Sequence, residues 1–127
     1  MAGEASNSKK ILLVDDSEIN RELLIGLLKS ETWLQIVEAR DGMEALGLLE
    51  SEKPDLLITD VVMPRMSGVQ LLAELRKRGY TLPVIMMSSR IRNEEFLPIA
   101  ELIDMDDVLV KGFSRMELLK LVHKHLG

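Results

Sequence analysis

Five short apolar runs, at 11–14, 34–37, 56–59, 84–87 and 108–110, alternate with longer segments whose leucine, isoleucine and alanine recur at helical spacing. Runs this short are not helices, and runs that are nearly all apolar suit strands covered on both faces. Strands separated by helix-length detours pair in parallel through right-handed crossovers. The pattern predicts an α/β chain, doubly wound, with five strands alternating with five helices on both faces of a parallel sheet. The 127 residues suffice for one domain and not for two.

The helical segments carry their own start signals. Ile19, Leu23, Leu24, Leu27 and Leu28 recur at about the spacing of one helix face. Asp41 with Glu44, Ser67 with Gln70 and Ser114 with Glu117 each have the spacing of a capping box ahead of an apolar stripe. The stretch with Phe96, Ile99, Ala100 and Ile103 is less regular, because Pro98 lies inside it. The helix there either starts near Leu97 or bends, with Asn93 as a cap, and residues 90–97 are expected to be the most mobile part of the fold. Residues 1–8 are small and polar and read as a flexible tail or cloning remnant, leaving 9–127 as the domain.

Composition excludes several function classes. With no cysteine, the chain has no disulfide, thiolate metal site or thiol nucleophile. A net charge of -5 with one Trp, one Tyr and two Phe argues against direct nucleic-acid binding by phosphate neutralisation or base stacking. No apolar run approaches the roughly 20 residues of a membrane span, and the first ten residues lack a signal-peptide apolar core. The expectation is a soluble cytoplasmic domain with no membrane contact.

In a sheet of this kind, functional groups gather beyond the carboxyl ends of the strands. The first run ends in Asp15 and Asp16, the third in Asp60, the fourth in Ser88 and Ser89, and the fifth in Lys111. Three carboxylates on one rim repel one another and share protons or bind a cation. An all-oxygen set favours Mg²⁺ or Mn²⁺ over Zn²⁺. Taken alone, Asp15-Asp16 is as well read as a helix cap, Lys111 as a surface lysine and Ser88 as a turn residue. Pro64 and Gly68 shape the turn after Asp60. A carboxylate held beside a divalent cation, a lysine and a hydroxyl is equipped to accept a phosphoryl group.

The stretches KKILLVDDS (9–17), DLLITDVVMPRMSG (55–68), LPVIMMSS (82–89) and VLVKGF (108–113) resemble the receiver domain of two-component response regulators. The resemblance covers residues 9–127 and implies a (βα)5 flavodoxin-like three-layer sandwich with sheet order 2-1-3-4-5. It implies that the domain is not an enzyme but a bacterial phosphoprotein that catalyses only its own phosphorylation and dephosphorylation. Asp60 matches the aspartate phosphorylated by a histidine kinase or histidine phosphotransfer domain. Asp15 and Asp16 match the acidic pair that holds Mg²⁺, with Asp16 favoured as the direct ligand and the Val62 carbonyl as another. Ser88 matches the hydroxyl that moves toward the phosphoryl group, and Lys111 the lysine that pairs with its oxygens. Ser89, Arg90 and Val62 match positions that govern access to the site. Partner docking falls on the first helix, and output on the fourth helix and fifth strand, through an effector domain or protein that the sequence does not identify. The same resemblance allows a monomer or a weak homodimer, stand-alone or cut from a larger regulator.

Two positions depart from the family pattern. Gly112 follows Lys111 where a proline is usual, and a non-proline bond there is expected to be trans. Its expected consequences are a shifted Lys111 ammonium and a looser loop. Val108 stands at the switch position, where the family often carries an aromatic residue that swings between exposed and buried states, and a valine is not expected to report the phosphoryl state in that way. Two other phosphate chemistries fit less well. A haloacid-dehalogenase-type phosphatase needs an acid at Val62, and a nucleotide site needs glycines where Asp15-Asp16 stands. A receiver serving only as a binding module stays open beside the phosphoacceptor reading.

Overall fold

A computed structural model describes residues 8–88 and 106–127. The expected helix around Phe96–Ile103, with Ser89 and Arg90, lies outside the described residues, as do residues 1–7 of the expected tail. The described chain runs β1 (Lys9–Val14), α1 (Glu18–Leu28), β2 (Leu34–Ala39), α2 (Gly42–Glu52), β3 (Leu56–Asp60), α3 (Gly68–Lys77), β4 (Val84–Ser88), β5 (Asp107–Val110) and α4 (Arg115–Leu126). All strand pairs are parallel, in the order β2-β1-β3-β4-β5.

Alternation along the strands divides the core between two faces. Leu12, Val14, Leu57, Val84 and Met86 pack with Ala45, Leu46 and Leu49 of α2 and Leu71, Leu72 and Leu75 of α3. Ile11, Leu13, Leu56, Ile58, Ile85 and Met87 pack on the other side with Leu24 and Leu28 of α1 and Leu118 and Val122 of α4. β3 and β4 are buried along their whole length, which is why their sequences lack a polar alternation. Burying this much leucine, isoleucine and methionine is the main stabilising term, at about 1.5–3 kcal/mol per fully buried side chain.

Two local expectations are corrected. α1 buries Arg21, Leu24 and Leu28, whereas Ile19 and Leu23 are 70% and 63% exposed. Five apolar residues make an arc wider than the strip that meets the sheet, and the outer two face solvent. Full capping boxes form at Ser67/Gln70 and Ser114/Glu117. At Asp41 only half of one forms: Asp41 accepts from the Glu44 amide, while the Glu44 carboxylate takes the Arg40 amide instead. No helix of the described residues is long and apolar enough to cross a membrane.

Candidate functional site: an acidic pocket at the strand ends

The order reverses between β1 and β3, since the chain first lays β2 on one side of β1 and then β3 on the other. The carboxyl ends of these two strands deliver Asp15, Asp16 and Asp60 to the crevice that opens there. Ligand oxygens of the three carboxylates lie within 4.8 Å of one another. Asp15 is fully buried and Asp60 is 5% exposed, while Asp16 is exposed.

Asp15 does not cap α1. Ser17 does, accepting from the Asn20 amide, and Asp15 Oδ1 accepts from the Ser17 amide at 2.9 Å. Its other oxygen, Oδ2, is buried with no hydrogen-bond partner among the described residues. Burial raises the Asp15 carboxyl above the ordinary carboxylate value, and Asp60 adds to the rise. The Ser17 amide, Lys111 and Asn20 oppose it only in part. A buried, repelled carboxylate with an unsatisfied oxygen is a donor set suited to a hard cation.

Asp60 is held from both sides. Lys111 Nζ donates to Oδ2 at 2.8 Å, and the Val62 amide donates to Oδ1 at 3.3 Å. Gly68 lies directly against the Asp60 carbonyl, where a Cβ would collide with backbone, and its amide donates to the Val61 carbonyl. The turn from Asp60 into α3 therefore requires a residue without a side chain at 68. Ser88, almost buried, ends β4, and its carbonyl accepts from the Lys111 amide at 2.7 Å, tying the lysine's backbone to the neighbouring strand.

The Lys111–Gly112 bond is trans, with Gly112 at φ +95°. With this trans bond the lysine reaches Asp60. Val62, at the mouth, is 77% exposed. Val108 is half-buried against the core on the α2/α3 side. The structure thus gathers Asp15, Asp16, Asp60, Val62, Ser88 and Lys111 at one end of the sheet, while Val108 sits lower on β5.

Sequence reasoning passed over Arg21. Its guanidinium is buried beneath the pocket, donating to the Asp15 carbonyl through Nη1 at 2.6 Å and to Glu38 Oε1 through Nε at 2.9 Å. The signal was present: residues 21, 24 and 28 fall on one helical stripe, and a charge on a buried stripe needs a partner.

Residues 11–123 match the model of the family described as the response regulator receiver domain. The chain is 37% identical over 112 residues to the alkaline phosphatase synthesis transcriptional regulatory protein PhoP of Bacillus subtilis, covering 87% of this chain and 45% of that protein. It thus spans about half the length of that regulator. It is 38% identical over 117 residues to an uncharacterized 14.6 kDa protein of Leptolyngbya boryana, covering 91% and 88% of the two chains. Among solved structures it is similar to the response regulator protein TrrA of Thermotoga maritima, in complex with Mg²⁺-BeF. That match has a TM-score of 0.79 and 34% identity, and covers 91% of this chain and 97% of that one. The chain belongs to the receiver domain family of two-component response regulators.

Proposed function

We propose that Asp60 is the phosphoacceptor of this receiver domain. The single observation that carries the reading is the Lys111 ammonium at 2.8 Å from Asp60 Oδ2, inside a pocket that also holds Asp15 and Asp16. In the transfer, a carboxylate oxygen of Asp60 forms a bond to phosphorus. The bond from phosphorus to the donor's imidazole nitrogen breaks, and the electron pair leaves with that nitrogen. Lys111 neutralises charge on the phosphoryl oxygens, and the Ser88 hydroxyl donates to one of them. The residues present fit a divalent cation: Asp15, Asp16 and Asp60 would hold it, with the Val62 carbonyl as a further ligand. Mg²⁺, or Mn²⁺ in its place, would supply charge neutralisation at the phosphoryl oxygens. Hydrolysis of the acyl phosphate resets the domain, so its only catalysis is on itself.

The donor would be a histidine kinase or histidine phosphotransfer domain. A groove of about 280 Å³ runs from Asp15 and Lys111 along Leu23, Leu24, Leu27 and Phe113. With Ile19 and Leu23 exposed beside it, α1 offers an apolar ridge next to the reacting carboxylate for the donor helix. An effector domain or output protein would read the phosphorylated state.

The test is incubation with Mg²⁺ and acetyl phosphate followed by intact mass measurement. The expected result is one added phosphoryl group, absent from Asp60→Asn. An adduct that persists in that variant places the acceptor elsewhere, and no adduct on the unaltered protein rejects the reading.

A further inference from the structure

Arg21 is a buried cation that the phosphoacceptor reading does not use. It belongs to α1, yet its side chain bonds to other elements: the Asp15 carbonyl beyond the end of β1, and Glu38 on the edge strand β2. Such an arrangement is demanding to build. A charged side chain only 9% exposed needs its donors matched, and it occupies a place on α1 where leucine would pack.

The Asp15 carbonyl is where the sheet ends. The Asp15 amide still donates to Ala39 on β2, at 3.2 Å. The carbonyl that follows points out of the ladder and is taken by Arg21 at 2.6 Å. That carbonyl belongs to the peptide joining Asp15 to Asp16. Turning this peptide would swing the Asp16 carboxylate relative to Asp60. Asp15 is fixed separately, by the Ser17 amide. Asp16 is exposed, and its direction follows from the backbone in front of it.

We propose that Arg21 is a positioning residue for the cation site: by clamping the Asp15 carbonyl against Glu38, it fixes the peptide that aims Asp16 and so sets divalent-cation affinity. The proposal rests on the reading of Asp15, Asp16 and Asp60 as the cation ligands. Arg21 touches neither the cation nor the phosphoryl group. Glu38 holds the guanidinium in place, while the bond to the Asp15 carbonyl does the aiming. Lysine cannot replace this, because one ammonium lacks the fork that spans two acceptors.

The test is calorimetric titration of the full chain with Mg²⁺, for the unaltered protein and the variants Arg21→Met, Arg21→Lys and Glu38→Gln. Thermal unfolding is measured alongside. Outer-shell changes of this kind typically weaken metal binding about 10–100-fold. Arg21→Met is therefore expected to lose at least about tenfold in Mg²⁺ affinity while still folding, and Arg21→Lys to fall between it and the unaltered protein. Glu38→Gln keeps an acceptor for Nε and is expected to stay within about twofold. A purely structural role would lower the unfolding midpoint and leave affinity unchanged, which overturns the proposal. Should Arg21→Met not fold, unaltered affinity in Arg21→Lys overturns it equally. A loss in Glu38→Gln as large as in Arg21→Met would place the effect in the ion pair, not at the carbonyl, and overturns the proposal. No Mg²⁺ binding by the unaltered protein would instead defeat the cation site itself, leaving a different failure on record.

Discussion

The Lys111 ammonium sits 2.8 Å from Asp60 Oδ2 although 51 residues separate the two in sequence. β4 and β5 bring them together, and the Lys111 amide is tied to the Ser88 carbonyl at the same rim. Lys111→Met removes the ammonium and leaves Asp60 facing Asp15 and Asp16 without it. Hydrogen bonds to charged groups are worth about 1.5–3 kcal/mol, so the variant should unfold more readily by about that amount without metal. Mg²⁺ should restore more stability to it than to the unaltered protein. Phosphorylation by acetyl phosphate should slow by about 100-fold, as when one preorganised donor is lost. An unchanged rate would remove Lys111 from the reacting site.

Asp15→Asn tests the repulsion within the pocket. The fully buried Asp15 carboxylate faces Asp60 and keeps one oxygen without a hydrogen-bond partner among the described residues. Removing its charge should raise the unfolding midpoint without metal and abolish the midpoint's response to Mg²⁺. Melting curves with and without Mg²⁺ decide the matter. A lower midpoint together with an undiminished response would mean that Asp15 is neither strained nor a ligand.

Gly68→Ala tests the turn behind Asp60. The added Cβ would collide with the Asp60 carbonyl, which is backbone and cannot swing aside. Overpacking of this kind costs about 1–3 kcal/mol. The displaced turn should also slow phosphorylation, so both denaturant midpoint and acetyl phosphate rate should fall together. A stable variant with an unchanged rate would show that the loop relaxes elsewhere.

The candidate site was legible because each of its side chains follows a run that is apolar for its own reason. Asp15, Asp60 and Ser88 stand where buried strands stop, Lys111 follows the half-buried β5, and parallel strands all stop at one rim. The order β2-β1-β3-β4-β5 was not legible from periodicity and came with the family resemblance. Arg21 was missed because α1 carries two apolar stripes, through 19 and 23 and through 24 and 28. Spacing alone does not choose which of them meets the sheet. Glu44 shows the same limit at smaller scale: Asp41 and Glu44 have capping-box spacing, but the Glu44 carboxylate reaches the Arg40 amide one residue earlier. That choice depends on the chain path before the helix, which residue type does not report.

Asp107→Asn tests the far end of β5. Burial alone would raise the Asp107 carboxyl, but the His125 hydrogen bond, at 2.6 Å, and Lys124 outweigh it and hold the carboxyl below its ordinary 3.8. A carboxyl lowered in the folded state favours folding above its unfolded value and loses that contribution as pH falls through the folded one. Lys124 is exposed and adds little, so the His125 bond should dominate at about 1.5 kcal/mol. Asp107→Asn should therefore be less stable at pH 7, with the gap closing as pH falls below about 4. Urea titrations across that range would show it, and a gap independent of pH would assign the loss to packing.

Val62 tests access to the acyl phosphate. Its side chain is 77% exposed at the mouth, two residues past Asp60, and its amide holds Asp60 Oδ1 at 3.3 Å. Substituting the side chain leaves that amide in place, so acceptance of the phosphoryl group should persist. Valine offers an approaching water only an apolar surface, whereas asparagine can hydrogen-bond to it and orient it toward phosphorus. Val62→Asn should shorten the phosphoprotein half-life several-fold, followed by the decay of the phosphorylated mass after the donor is removed. An unaltered half-life would mean that water reaches the phosphoryl group from another side of the pocket.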